Sequence, residues 1–353
     1  MSFPRRRGSR NKESGSRFDG MMLRIMTYDL YFHNDFDGWA SAAVMLSFLE
    51  GRGDRVGHFA PVDHDLQPQW LDDAFFKKHH LFKGKRNAPI VLDFPFHPGT
   101  AFWFDHHPTA FKKEAWQKKF HEDAEHAYRP RYFSCCHMAY ATLKRNFKWQ
   151  PPAYLSGLIV WLDIIDGARY VSAKQTILMK EPAFAIDSFI DAQKGDSKNA
   201  EWLVRRLATT PFKEVAKIPR VAAAGKKARQ RAVRDVDFYQ KNLAVIGNAT
   251  LIDLVGHSDK MLRYAPYYLF PKLRYSVRMN IKGSFYHVGV GENPWLARKG
   301  SIHIGRLMKK YGGGGHASAG AAEFTMKEDM EKAKEEIIAV LNKKSLSFPR
   351  MRE

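Results

Sequence analysis

The chain is 353 residues long, 44% hydrophobic and 13% aromatic, enough apolar material for a packed core, so wholesale disorder is excluded. Its formal net charge of +20 and pI ≈ 9.8 point to a polyanionic partner without identifying one. Cys135 and Cys136 are the only cysteines and are adjacent, which excludes a disulfide framework and a Cys-rich zinc site.

No apolar run reaches the roughly 18–20 residues of a membrane helix, and the N-terminus lacks the apolar stretch of a secretory signal. A reduced, cytoplasmic setting without a membrane partner is therefore expected. The length predicts two domains.

Residues 1–22 carry six basic and two acidic residues and no hydrophobic period, and read as a disordered basic arm. From Ile25 the sequence turns apolar and reaches His33. A helical pattern then opens at Gly38 and ends at Gly51. A strand is expected over 55–62, a helix over about 69–79, a buried strand over 88–94 and another over 100–104. Strands alternating with helices predict an α/β domain with a parallel sheet covered on both faces.

Helical patterns dominate 134–146, 153–166 and much of 182–240. Residues 201–235 hold ten basic against three acidic side chains, and Arg220, Lys227, Arg231 and Arg234 fall at the spacing of one helix face. That run by itself is compatible with a solvated face. From Leu243 the texture becomes β, with LAVIG, TLIDLVG, YYLFP, LRYSVRMNI and FYHVGVG separated by short turns. A helix over 301–310, a glycine run, a strand over 319–325 and a helix over 327–343 complete a smaller α+β domain.

Three expected strands end on carboxylates or imidazoles: His33-Asn34-Asp35-Phe36-Asp37-Gly38, then Asp93, then Asp105-His106-His107. Ligands bind at the carboxyl ends of the strands in open α/β sheets, so these groups converge on one crevice. Hard divalent ions want carboxylate oxygen, and imidazole suits Mn, Fe, Co or Zn. A mixed set of this size meets the needs of a two-metal hydrolytic site, where two ions hold a hydroxide nucleophile and neutralise phosphoryl oxygens during in-line displacement. Gly312 to Gly315, followed by His316, can present successive backbone N–H groups to an anion. Each motif alone is as compatible with a turn or a satisfied histidine; their joint order carries the expectation.

HNDFDG, the Asp of VLDF, FDHH and GGGGHASAG, in that order, resemble the DHH phosphoesterase superfamily with a DHHA1 C-terminal domain. The resemblance spans about 30–325 and implies a catalytic DHH domain over 23–200, a basic helical connector over 201–241 and a DHHA1 domain over 242–345. It implies two divalent cations, Mn²⁺ first, with Mg²⁺ or Co²⁺ as alternatives. His33, Asp35 and Asp93 match ligands of the first; Asp37, Asp93 and His106 match ligands of the second. Asp163 is the first choice to complete the second, with Asp166 as the alternative. His107 matches the residue facing the substrate phosphate, and Asp105 would orient its neighbours. In the second domain Gly313, Gly314, Gly315 and His316 match the substrate loop, and Arg278 resembles an arginine that contacts a nucleotide phosphate.

Only Asn34 separates His33 from Asp35, and this compact form is similar to the RecJ-like and nano-RNase-like branch; Pro108 stands where RecJ exonucleases often carry another His. The resemblance implies a phosphodiesterase acting on short single-stranded RNA or DNA oligomers or on nucleotides, as a monomer or a homodimer. A 3′,5′-bisphosphonucleotide phosphatase, a cyclic-dinucleotide phosphodiesterase and an exopolyphosphatase are the alternatives at the same site. A non-catalytic nucleic-acid-binding protein is the alternative of a different class. The connector would steer a strand by salt-sensitive contacts. For Trp39, Phe94 and Trp295, core packing is the simpler role and base stacking the alternative. His79, His80, His121 and His126 read as polar helical surface, and His58, His64 and His97 lack partners at ligand spacing. Cys135 and Cys136 read as a buried helix start capped by Ser134.

Overall fold

The computed structural model describes residues 25–343 except 79–80, 82–86, 258–261 and 298–299; the arm expected over 1–22, the pair His79-His80 and residues 344–345 lie outside them. Five parallel strands form the first sheet: β1 (Thr27–His33), β2 (Arg55–Val62), β3 (Ala88–Leu92), β4 (Phe102–Asp105) and β5 (His126–Tyr128), in the order β2-β1-β3-β4-β5.

Side chains along each strand alternate between two cores, as the two-residue period requires. Leu30, Phe32, Ile90, Leu92, Phe102 and Phe104 face the helix Phe36–Gly51 and the helices stacked around it. Tyr31, Val91 and Trp103 face an aromatic layer that includes Trp70, Phe75, Phe94, Phe96 and Trp116. Burial on both faces locks the register, because a one-residue slip would exchange the two sets.

The helix expected over about 69–79 is two short helices, Gln67–Trp70 and Phe75–Lys78. His121 lies in irregular chain and His126 on β5, so neither is helical. The basic stretch divides. Residues of the helix Ser197–Thr209, together with Phe212 and Val215, pack into the first core, as does Val221 near the start of the helix Pro219–Asn242. Within it Arg220 lies over the Trp202 ring at 3.1 Å from its centroid, and Arg231 pairs with Asp235. The expected four-residue basic face is therefore reduced to Lys227 and Arg234, beside the exposed Lys226.

The second sheet has the order β10-β11-β9-β8-β7-β6, from β6 (Ala244–Ile246), β7 (Ala249–Asp253), β8 (Tyr275–Lys282), β9 (Phe285–Glu292), β10 (Gly314–Gly315) and β11 (Ala319–Phe324). Only β7 and β8 pair in parallel; the other pairs are antiparallel. Helices Ile304–Lys309 and Lys327–Asn342 cover it through Met308, Met330 and Ile337. YYLFP is not a strand: Ala265–Leu269 is a short helix with Pro266 in its first turn, the place where a missing N–H costs nothing. Among the described residues no helix is long and apolar enough to cross a membrane.

Candidate metal centre and substrate cleft

Every strand from β1 to β4 delivers a charged or imidazole group at its carboxyl end. β1 ends on His33, and Asp35 then caps the helix Phe36–Gly51 by accepting from the Gly38 N–H at 3.0 Å. Gly38 must lack a side chain, since a Cβ there would stand 2.1 Å from the His33 carbonyl oxygen. This contact brings the helix start, and Asp37 with it, down onto the strand end. Asp37 is buried and accepts from the backbone N–H groups of Cys135 (2.6 Å) and Cys136 (2.9 Å), the first residues of the helix Cys135–Phe147. A helix N-terminus thus holds one face of this carboxylate, as its unpaired donors favour.

Asp93 follows β3 with φ +57°, the left-handed region that a non-glycine residue seldom adopts. Its own N–H is tied to the Phe104 carbonyl at 2.9 Å. The turn aims a fully buried carboxylate at the middle of the cluster, where neither oxygen has a hydrogen-bond partner among the described residues.

His106 turns its Nδ1 to the Tyr132 carbonyl at 3.1 Å, which fixes the proton there. Its Nε2 then faces Asp37 and Asp93 at 3.6 Å and Asp166 at 3.4 Å, too far for good hydrogen bonds, with no donor between them. A cation between this imidazole lone pair and the three carboxylates would satisfy all four groups. Likewise His33 Nδ1 stands 2.7 Å from Asp35 and 3.7 Å from Asp93. The ligand-capable atoms form three overlapping groups, His33-Asp35-Asp93, Asp37-His106-Asp166 and Asp93-His106-His107, with Asp93 shared.

The electrostatics agree. Burial first, then the neighbouring carboxylates, pushes Asp37 and Asp93 far above the usual carboxylate range. Burial raises the Asp166 pKa as well. For Asp35 burial is outweighed by His33 and the Gly38 N–H, and its pKa falls. Buried carboxylates brought this close together fit the oxygen-rich donor set of divalent cations. His107 donates its backbone N–H to Asp105 Oδ1 and pairs Nδ1 with the same oxygen at 2.8 Å. That hydrogen bond raises the His107 pKa against the effect of burial.

Asp163, the first choice from sequence, is not in the cluster. Its two oxygens take Ser134 Oγ at 2.8 Å and His137 Nδ1 at 2.7 Å, while Asp166 at the end of the helix Leu155–Ile165 reaches His106. Cys135 and Cys136 are buried with thiols pushed up by burial, and Ser134 caps their helix as expected.

Sequence reasoning passed over Asp63 and set His64 aside as lacking partners at ligand spacing. They follow β2, beside β1: Asp63 lies 3.8 Å from His33 Nε2, and the His64 ring stacks 5.8 Å from Phe94. Their position after a parallel strand was the available signal. His58 instead serves Asp29, and His97 is held by the backbone of Asp72 and Gly99.

A cleft of ≈ 730 Å³ runs between Gly167-Ala168 of the first unit and the second sheet. Arg278, His287, Gly314 and Gly315 line it; Arg278 Nε is buried without a hydrogen-bond partner among the described residues. Gly313 instead packs against Ala321, and His316 is exposed with its N–H on the Ala319 carbonyl. Trp39 and Phe94 are core residues, whereas Trp295 donates to the Tyr170 carbonyl at 2.8 Å and so ties the two units together.

No family model and no curated protein sequence matches the chain. Solved structures do. The chain is similar to PggH, a pGpG-specific phosphodiesterase from Vibrio cholerae, with TM-score 0.66 and 19% identity over 90% of this chain and 99% of that one. It is similar to the DHH domain of a member of the s1p family of ribosomal proteins, with TM-score 0.53 and 15% identity over 89% and 87%. It is also similar to RecJ of Thermus thermophilus in complex with Mn²⁺, with TM-score 0.50 and 15% identity over 92% of this chain and 52% of RecJ.

Proposed function

We propose that this chain is a member of the DHH/DHHA1 superfamily, whose fold its structural neighbours share, and a metal-dependent phosphoesterase that hydrolyses phosphodiester bonds of short single-stranded oligonucleotides. The observation that carries the proposal is the buried Asp93 carboxylate, without a hydrogen-bond partner among the described residues and facing His106 Nε2, whose lone pair also meets Asp37 and Asp166. A non-catalytic binding protein has no physical need for such a cluster, which costs stability until a cation enters.

His33, Asp35 and Asp93 would hold one cation, and Asp37, Asp93, His106 and Asp166 a second. When bound, such ions neutralise phosphoryl oxygens and lower the pKa of water enough to make hydroxide available near neutral pH. The protein's own groups do the rest. Asp105 orients His107 and favours its imidazolium form, which would donate to the phosphate as charge develops on it. The Tyr132 carbonyl fixes the tautomer of His106, and the Cys135 and Cys136 N–H groups fix the Asp37 carboxylate. Arg278 with the backbone of Gly314 and Gly315 would hold a terminal phosphate across the cleft. Lys226, Lys227 and Arg234 would meet the rest of a longer strand.

The test is turnover of 5′-labelled RNA and DNA, from dinucleotides to long oligomers, with Mn²⁺, Mg²⁺ or Co²⁺ and with EDTA. Bisphosphonucleotides, cyclic dinucleotides and polyphosphate are run alongside. Metal-dependent release of mononucleotides from short oligomers is expected. Turnover indifferent to EDTA would overturn the reading, and faster turnover of one of the other substrates would reassign it.

A further inference from the structure

Phe133 is 45% exposed and belongs to none of the hydrophobic cores among the described residues. Its place is nevertheless set by the metal-ligating cluster. It stands between Tyr132, whose carbonyl holds His106, and Ser134, whose hydroxyl holds Asp163. Its ring lies against Gly167, the neighbour of Asp166: a Cβ on Gly167 would come 3.0 Å from Phe133 Cβ and 3.2 Å from Cδ1. Gly167 and Ala168 in turn line the cleft. The Arg169 guanidinium lies 4.1 Å from the centroid of the Phe133 ring. The second unit repeats the pairing on the cleft, where Arg263 lies 5.5 Å from the Tyr264 centroid.

Phe133 stays 45% exposed beside Gly167 and Arg169, and covering that exposed part with a flat partner is favourable. A bare polyphosphate offers only charge, which a guanidinium alone would serve. A nucleobase offers a π-face for the ring and brings a phosphate for the cation. Resting on the phosphoesterase reading above, we infer that Phe133 and Arg169 form a stacking platform for the nucleobase beside the phosphate held at the metal centre, so that the substrate is a nucleotide ester rather than a polyphosphate.

The test compares binding, with Mn²⁺ present, of a dinucleotide whose bridging ester oxygen is replaced by methylene and of its abasic counterpart carrying the same phosphates. Calorimetry should show wild type preferring the ligand with bases by about 5- to 150-fold, the range that stacking of one base supplies. Phe133→Ala should lose most of that preference while its affinity for the abasic ligand is unchanged; Phe133→Tyr should keep it. Arg169→Gln should weaken both ligands and reduce the preference. Because both side chains are exposed, the thermal midpoint should not move. Equal binding of the two ligands by wild type, no binding of either, or a Phe133→Ala loss common to both would overturn the inference. Failure to cleave any phosphodiester would sink the phosphoesterase reading alone, because the platform is read from binding.

Discussion

Exchanging Asp166 and then Asp163 for alanine separates a cluster residue from its helical neighbour. In the metal-free protein Asp166 adds a third carboxylate to Asp37 and Asp93 at His106, so Asp166→Ala should leave the apo protein as stable or more so. Asp163 accepts from Ser134 and pairs with His137, so Asp163→Ala should cost the apo protein about 1–3 kcal/mol. Metal reverses the order. A divalent cation at one hundred times its dissociation constant stabilises the folded state by about 2.7 kcal/mol. For a unit of this size that is roughly 5–10 °C of midpoint. If loss of a ligand weakens binding by about 100-fold, the gain falls to about 0.4 kcal/mol, or roughly 1–2 °C. Differential scanning fluorimetry of the three proteins with Mn²⁺ and with EDTA reads both effects. An intact metal increment in Asp166→Ala, joined to a lost one in Asp163→Ala, would refute the assignment of Asp166 to the cluster.

Gly38→Ala places a methyl group 2.1 Å from the His33 carbonyl oxygen and must push the helix start away from β1; urea denaturation should show a loss of about 2 kcal/mol or more, with a smaller metal increment. A neutral effect would mean that the helix start is not seated on the strand end. His97 is neutral in the fold, because Gly99 N–H donates to its Nδ1 while Nε2–H donates to the Asp72 carbonyl, and burial lowers its pKa below the ordinary 6.5. Its folded pKa is the lower one, so its contribution is fully present above about pH 6.5 and is lost as pH falls below it. In His97→Gln, denaturation midpoints between pH 7 and pH 5 should fall less steeply than in wild type; an unchanged slope refutes the contribution. Replacing the exposed Lys226, Lys227 and Arg234 by glutamine should weaken long single strands and reduce the slope of log K against log salt by about 2, three contacts at ~0.7 each, without altering dinucleotide turnover. An unchanged slope would remove the connector from the binding surface.

Much of the architecture was legible. The strand expected over 55–62 is β2 with those bounds, and the change of texture at Leu243 coincides with the end of the connector helix at Asn242. The inner strands β1, β3 and β4 were legible as near-continuous apolar runs because both their faces are buried, whereas β2 stands at the sheet edge and is partly exposed over its first half. The misreadings have local causes. YYLFP is rich in residues that favour strands, but Pro266 starts a helical turn and Tyr267 is buried with its hydroxyl on Ser276. β5 is three residues long, too short to show a period.

The sequence by itself determined the chemistry of the site: carboxylates and imidazoles placed after apolar strand interiors converge wherever parallel strands end, whatever loops join them. Tertiary structure alone decided which of them meet. Asp163 and Asp166 lie three residues apart near the end of one helix, and only the packing of that helix against Ser134 and His137 turns Asp163 away and leaves Asp166 facing His106. Asp63 and His64 join the site because β2 lies beside β1, a neighbour relation written in hydrogen bonds between strands rather than along either of them. Local sequence sets what a residue can do; the long-range register of the sheet sets with whom.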